Sequence, residues 1–242
     1  TVAEVDDDNS NASYVWEDGD GTKHYFVSAT GGTYVDEDNL GLTLTVTGTT
    51  ITVADKLDNS SVFTNGRLAY IYNNQNPENG RSAITIEYNP SDLISCVKDG
   101  AGRAYNFTYS NGLLTKISYT GTGTTEVSYI TFGYSNSRLT TVTYKDAKTV
   151  TYGYSENILT SAKDIDGYKI KYSYATDYHR RVNKVQEYSG SLLGRSLSIT
   201  YSNHQTKIID DEGNYQLLQF NDWGNLVATH DNLGHTQYSK YA

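Results

Sequence analysis

The chain has 242 residues, among them 23 tyrosines, 30 threonines and 21 glycines but only 2 prolines and no methionine. Such a surplus of β-formers excludes a mostly helical fold. A formal net charge of -9 argues against nucleic acid or an anionic membrane surface as partner, and the absence of any long apolar run excludes a membrane-spanning helix.

Residues 1–13, TVAEVDDDNSNAS, read as a disordered acidic leader. Residues 1–60 hold 12 acidic and 2 basic side chains, a net of -10, and the remainder holds 16 acidic and 17 basic, a net of +1. The acidity therefore belongs to the first quarter of the chain. Residues 14–83 read as lead-in β-hairpins. Strand TKHYFV follows the turn Asp18-Gly19-Asp20-Gly21, LTLTVT (42–47) and TITVA (50–54) flank Gly48, and Asn65-Gly66 is a type I′ hairpin signal. The segment NNQNPENG (73–80) reads as a loop. Asp6-Asp7-Asp8 and Asp36-Glu37-Asp38-Asn39 lack the spaced ligand pattern of a calcium loop, so Asp36 and Asp38 are weak calcium candidates at best.

From residue 84 to 242 the sequence repeats itself. Strands close on Tyr88, Tyr109, Tyr134, Tyr154, Tyr174, Tyr201 and Phe220, at intervals of 21, 25, 20, 20, 27 and 19 residues. Polar turns follow: NPSD, SNG, SNS, SEN, SNH and NDWGN. A second strand then runs to an Asp-x-x-Gly turn, at Asp99–Gly102, Asp164–Gly167, Asp210–Gly213 and Asp231–Gly234. Seven residues past each of those glycines comes the next aromatic, Tyr109, Tyr174, Phe220 or Tyr241. Within strands the alternation has period two. Val150, Tyr152 and Tyr154 share one face and Thr149, Thr151 and Gly153 the other, which predicts antiparallel hairpins wet on one side, with the closing aromatics in the core. A hairpin of this size cannot bury its own face, so neighbours must stack beside it.

This arrangement resembles the YD-repeat, or Rhs, family. YSNGLLTKISY (109–119), YSNSRLTTVTY (134–144), YSENILTSAKDIDG (154–167) and FNDWGNLVATHDNLG (220–234) carry the resemblance. The lead-in segments GDGTKHYF, LGLTLTV and FTNGRLAYIYN resemble those of bacterial wall-associated members. The resemblance implies an all-β fold of stacked antiparallel β-hairpins forming a curved, twisted sheet, part of a shell that encloses or presents a neighbouring domain. It also implies a secreted or bacterial cell-surface location, and the remaining domains of a parent polypeptide as partners. The departures are Phe220 for the closing Tyr, Tyr144-Lys145-Asp146-Ala147 in place of Asp-x-x-Gly, and a last unit truncated at Tyr241-Ala242.

For chemistry the sequence offers little. The Asp-x-x-Gly carboxylates are accounted for by turn formation. Cys96 stands alone, so an internal disulfide and a cysteine metal site are excluded. His24, His179, His204, His230 and His235 form no metal-binding motif, although His230 and His235 flank one turn. No Gly-rich phosphate loop opens a helix. The expectation is therefore a non-enzymatic scaffold without cofactor or metal. A carbohydrate-binding surface module is the alternative and a glycan-active enzyme the third reading. Trp223, Trp16 and Tyr178 break the inward parity and are the candidate ligand platforms. An open terminal strand would also favour edge-to-edge self-association.

Overall fold

The computed structural model describes residues 1–5, 12–74 and 83–241. The Asp6-Asp7-Asp8 cluster and residues 75–80 of the 73–80 loop lie outside the described residues. The described chain is all β, with 23 strands, in two compact units, Thr1–Ile130 and Thr131–Ala242. Residue 84, where the sequence pattern changes, lies within the first unit.

The first unit contains β1 (Val2–Glu4), β2 (Tyr14–Glu17), β3 (Lys23–Ser28), β4 (Thr33–Asp36), β5 (Thr43–Thr47), β6 (Thr50–Ala54), β7 (Ser60–Thr64), β8 (Arg67–Tyr72), β9 (Ala83–Tyr88), β10 (Ile94–Lys98), β11 (Ala104–Ser110) and β12 (Leu113–Tyr119). Each pairs antiparallel with the next in sequence. β13 (Ser128–Ser135) spans the division between the units. In the second unit come β14 (Arg138–Tyr144), β15 (Thr149–Ser155), β16 (Ile158–Lys163), β17 (Tyr168–Tyr174), β18 (Val182–Ser189), β19 (Leu192–Ser202), β20 (Gln205–Ile209), β21 (Tyr215–Phe220), β22 (Leu226–Asp231) and β23 (Thr236–Tyr238). These too form a ladder of sequence neighbours.

Two expectations need correction. The leader is not wholly unstructured, because β1 pairs with β2 through Val2↔Trp16, Ala3↔Val15 and Glu4↔Tyr14. An apolar Val2 placed against the N-terminal core outweighs the polarity of the segment after it. The deepest packing also lies outside the repeats. Tyr14, Phe26, Leu44, Val53 and Phe63 form the buried cluster, with Phe26 and Leu44 fully sequestered and Tyr34 meeting Tyr14 edge-on at 4.8 Å. The closing aromatics of the repeats are only half-buried, and Tyr241 is exposed. Their strands pack on ladder neighbours, so one hairpin covers only part of the next one's rings.

Two turn designs alternate. After several closing aromatics the chain reverses through tight pairs at positive φ, such as Asn65-Gly66 (52° and 77°), Asn111-Gly112 (50° and 77°) and Asn136-Ser137 (49° and 60°). Positive φ at both central residues is the type I′ requirement, and Asn and Gly meet it at low cost. At the other end of the hairpins a three-residue loop closes on a left-handed residue, with Gly102 N–H donating to the Asp99 carbonyl and Asp99 N–H to the Arg103 carbonyl. Tyr144–Lys148 makes the same main-chain turn, with Ala147 forced to φ 65° where its sister turns carry glycine. Ala147→Gly should therefore raise stability by about 0.5–1 kcal/mol, the left-handed strain of a β-carbon less the added entropy of the unfolded chain. The midpoint of urea unfolding measures it, and an unchanged or lower midpoint would contradict the strain.

Candidate functional site

The residues singled out by the repeat pattern converge on one hydrogen bond. The Tyr88 hydroxyl donates to the Leu68 carbonyl at 2.9 Å, Tyr109 to Ile94 at 2.9 Å, Tyr154 to Leu139 at 2.9 Å, Tyr174 to Leu159 at 2.6 Å, Tyr201 to Val182 at 2.7 Å and Tyr241 to Leu226 at 3.0 Å. Each tyrosine thus reaches back into the preceding hairpin. Tyr134 also has an interaction partner.

The acceptor's position explains the choice of residue. Leu68 lies opposite Phe63, Ile94 opposite Tyr88, Leu159 opposite Tyr154, Val182 opposite Tyr174 and Leu226 opposite Phe220, each at a register shift in the ladder. A β-bulge interrupts the regular exchange of N–H and C=O groups, so a carbonyl beside it needs another donor. The next repeat's tyrosine supplies it. At Tyr201 the ladder runs on without a shift, through Tyr201↔Thr206 to Ser202↔Gln205, and the following aromatic is Phe220, which has no hydroxyl to give. In β12, β14 and β16 a threonine follows the first pair of residues, at Thr115, Thr140 and Thr160. Two of these hydroxyls return to the facing strand, Thr115 to the Thr108 carbonyl and Thr140 to the Gly133 carbonyl, both at 3.1 Å.

The turn carboxylates are engaged in the same local way. Asp99 Oδ1 accepts from the N–H groups of Ala101 and Arg103, Asp164 Oδ1 from Asp166 and Tyr168, Asp210 Oδ1 from Glu212 and Asn214, and Asp231 Oδ1 from Leu233 and His235. Gly102, Gly167, Gly213 and Gly234 hold the left-handed position at φ 80–89°. Asp18, in the turn that opens the lead-in hairpins, caps in the same way, and so do three residues outside the Asp-x-x-Gly pattern, Asp55, Asn89 and Asn221, with Asp58 and Asp92 taking the left-handed place in two of these turns. The signal was present: Asn substitutes for Asp as the acceptor, and Asp tolerates positive φ.

The electrostatics oppose acid–base work. Donors hold several of these carboxylates below the ordinary aspartate range, first the Arg103 N–H for Asp99, the Asn214 side chain for Asp210 and the His235 ring for Asp231. A glycosidase general acid needs its pKa raised. Asp210 and Asp231 do line one open hollow of about 460 Å³, together with Tyr215 and Asn232, but as fully engaged caps. Asp36 is buried and its two oxygens accept the Leu40 and Leu42 N–H groups; Asp38 lies exposed. His230 bonds Thr236 and Gln219 while His235 bonds Asp231. Among the described residues no three His, Cys, Asp or Glu side chains are grouped as metal ligands. Cys96 is buried, and desolvation raises its pKa.

The candidate platforms differ among themselves. Trp223 is 86% exposed on the tip of the Asn221–Asn225 turn, and Tyr178 is 96% exposed beside His179. Trp16 is half-buried and stacks on His24 at 5.1 Å, held by the His24–Asp18 contact at 3.1 Å.

Two outcomes follow from this geometry. Tyr154→Phe should lose about 0.5–1.5 kcal/mol in chemical denaturation, the net value of one intramolecular hydrogen bond; an unchanged midpoint would show that the Leu139 carbonyl finds an equal donor. Depressed aspartate pKa values mean a contribution to stability that is complete above the unfolded pKa of about 4 and lost as pH falls through the lower folded value. Melting temperature should therefore drop as pH falls below about 4, with Asp99, Asp210 and Asp231 titrating below ordinary aspartate in carboxyl NMR. Titration of all three at the ordinary value would remove the capping contribution.

No protein-family model matches the chain, and neither does any curated protein. Its fold does match solved toxin structures. A Photorhabdus luminescens Tc holotoxin pore carrying the TccC3 mutation D651A aligns with TM-score 0.52 at 15% identity, over 86% of this chain and 13% of that chain. The TcdB2–TccC3 crystal structure without its hypervariable C-terminal region aligns with TM-score 0.49 at 14% identity over 86% of this chain and 12% of that one. The chain thus spans about an eighth of the length of the structures it matches. At this identity the likeness is one of fold: an all-β architecture of antiparallel strands that also occurs within a bacterial toxin complex.

Proposed function

We propose that this chain is a stretch of a YD-repeat, Rhs-type shell, a non-enzymatic scaffold that holds or presents a neighbouring domain of a large secreted or surface protein of bacteria. The observation that carries the reading is the repeated tyrosine-to-carbonyl bond between successive hairpins. It lets a wall grow one unit at a time without a second layer, which is what a shell requires and a compact binding module does not. The engaged, acid-strengthened turn carboxylates support a structural role over a catalytic one. The likeness to toxin-complex folds supports the same reading.

Limited proteolysis of the parent polypeptide tests it. The neighbouring domain should resist thermolysin when the repeats are present and become sensitive when they are deleted. Equal sensitivity in both forms would overturn the enclosing role.

Trp223 favours a second reading, as a carbohydrate-binding surface module, because a large ring stands free on a rigid turn. In a Trp16→Phe background the fluorescence of Trp223 reports alone. A scaffold leaves it unchanged across a glycan panel, whereas a saturable change with one glycan would favour the module.

A further inference from the structure

The face of the second unit opposite the closing tyrosines carries an unneutralised stripe of lysine. The ladder register fixes which side chains share it. Lys163 lies directly opposite Lys169, Lys171 opposite Gln186, Lys184 opposite Ser173 and Ser198, and Lys207 opposite Thr200. Strand spacing of about 4.8 Å and a rise of about 3.3 Å per residue make this a diagonal of roughly 25–30 Å across β16 to β20. Lys98, Lys116 and Lys148 form ion pairs, whereas none of these five pairs with a carboxylate among the described residues. The carboxylates of the unit lie elsewhere. Glu187 is opposite Ile170 on the other face, and Asp164, Asp166, Asp210, Asp211 and Glu212 are confined to turns or strand ends.

Like charges directly opposite each other weaken a sheet. Lysines that guard a sheet against aggregation belong on its edges, yet β16 to β20 are interior to the ladder. We propose that this lysine diagonal is a docking surface for an extended acidic polypeptide segment. The carboxylates of an extended chain recur at alternate residues, a spacing similar to that of same-face lysines along a strand. Ser and Gln side chains between the lysines offer hydrogen bonds to its backbone. A single-stranded nucleic acid fits less well. The rings it would stack on are taken, because Lys171 sits 4.7 Å from the Tyr188 centroid and Lys207 4.1 Å from that of Tyr215. The surface lies wholly within residues 158–209, so it stands whether or not the chain belongs to a shell.

The test is fluorescence anisotropy of the full chain with a labelled ten-residue peptide of alternating Glu and Ser. Binding should be saturable, weaken steeply with added salt, and lose at least tenfold in affinity in Lys169→Gln/Lys171→Gln. Lys169→Gln alone should raise the melting temperature, because it relieves the repulsion from Lys163; this separates lost binding from lost folding. Undiminished binding by the double variant, or no binding at low salt, overturns the proposal. Tighter binding of a ten-nucleotide oligothymidylate or of anionic lipid vesicles than of the peptide overturns the choice of partner. Salt-sensitive self-association that the peptide displaces would assign the surface to a second copy instead.

Discussion

A β-bulge leaves a carbonyl without its ladder partner, and one phenolic hydroxyl from the next hairpin repairs it. Most of what is distinctive in this chain depends on that exchange. At the bulge an aliphatic residue stands opposite the closing aromatic, as Leu159 does opposite Tyr154. The repair needs a long, rigid side chain with a donor at its tip, and tyrosine alone combines an apolar ring with such a hydroxyl. Main-chain acceptors also explain why the repeats can vary on their surfaces: a carbonyl is available whatever side chain it carries, as Leu68, Ile94 and Val182 illustrate.

The turns contribute the second constraint. Each capped Asp or Asn fixes two N–H groups of its own loop, so hairpin length is set locally while the tyrosines set the relation between hairpins. The two devices use different groups and do not compete. Variable insertions can therefore enter at one turn, as between Tyr174 and Val182, while the Tyr201 hydroxyl still finds the Val182 carbonyl.

Much of this was legible in the residues. The spacing of closing aromatics and the Asp-x-x-Gly register identify hairpins because both follow from period-two strands and left-handed turns. The hydrogen bond was not legible, since an alternation pattern says which face a tyrosine occupies but not what its tip touches. An offset of 15 residues from an aliphatic partner, which recurs in four of the six bonds, as in Leu139 to Tyr154 and Leu159 to Tyr174, was the available clue. The burial of the repeat aromatics was overestimated because parity reports sidedness, and burial also needs something to cover that side. The order of Val2–Glu4 was missed because a three-residue strand is too short to show a period. The lysine face was hidden by the net charge, which sums over turns and strands alike.

Phe220 gives the sheet a grain. Between Tyr201 and Phe220 the ladder is regular and no phenolic bond ties the two hairpins, whereas the adjoining steps at Tyr201 and Tyr241 are tied. A sheet assembled this way resists shear unevenly, and a load drawn along it concentrates at the untied step.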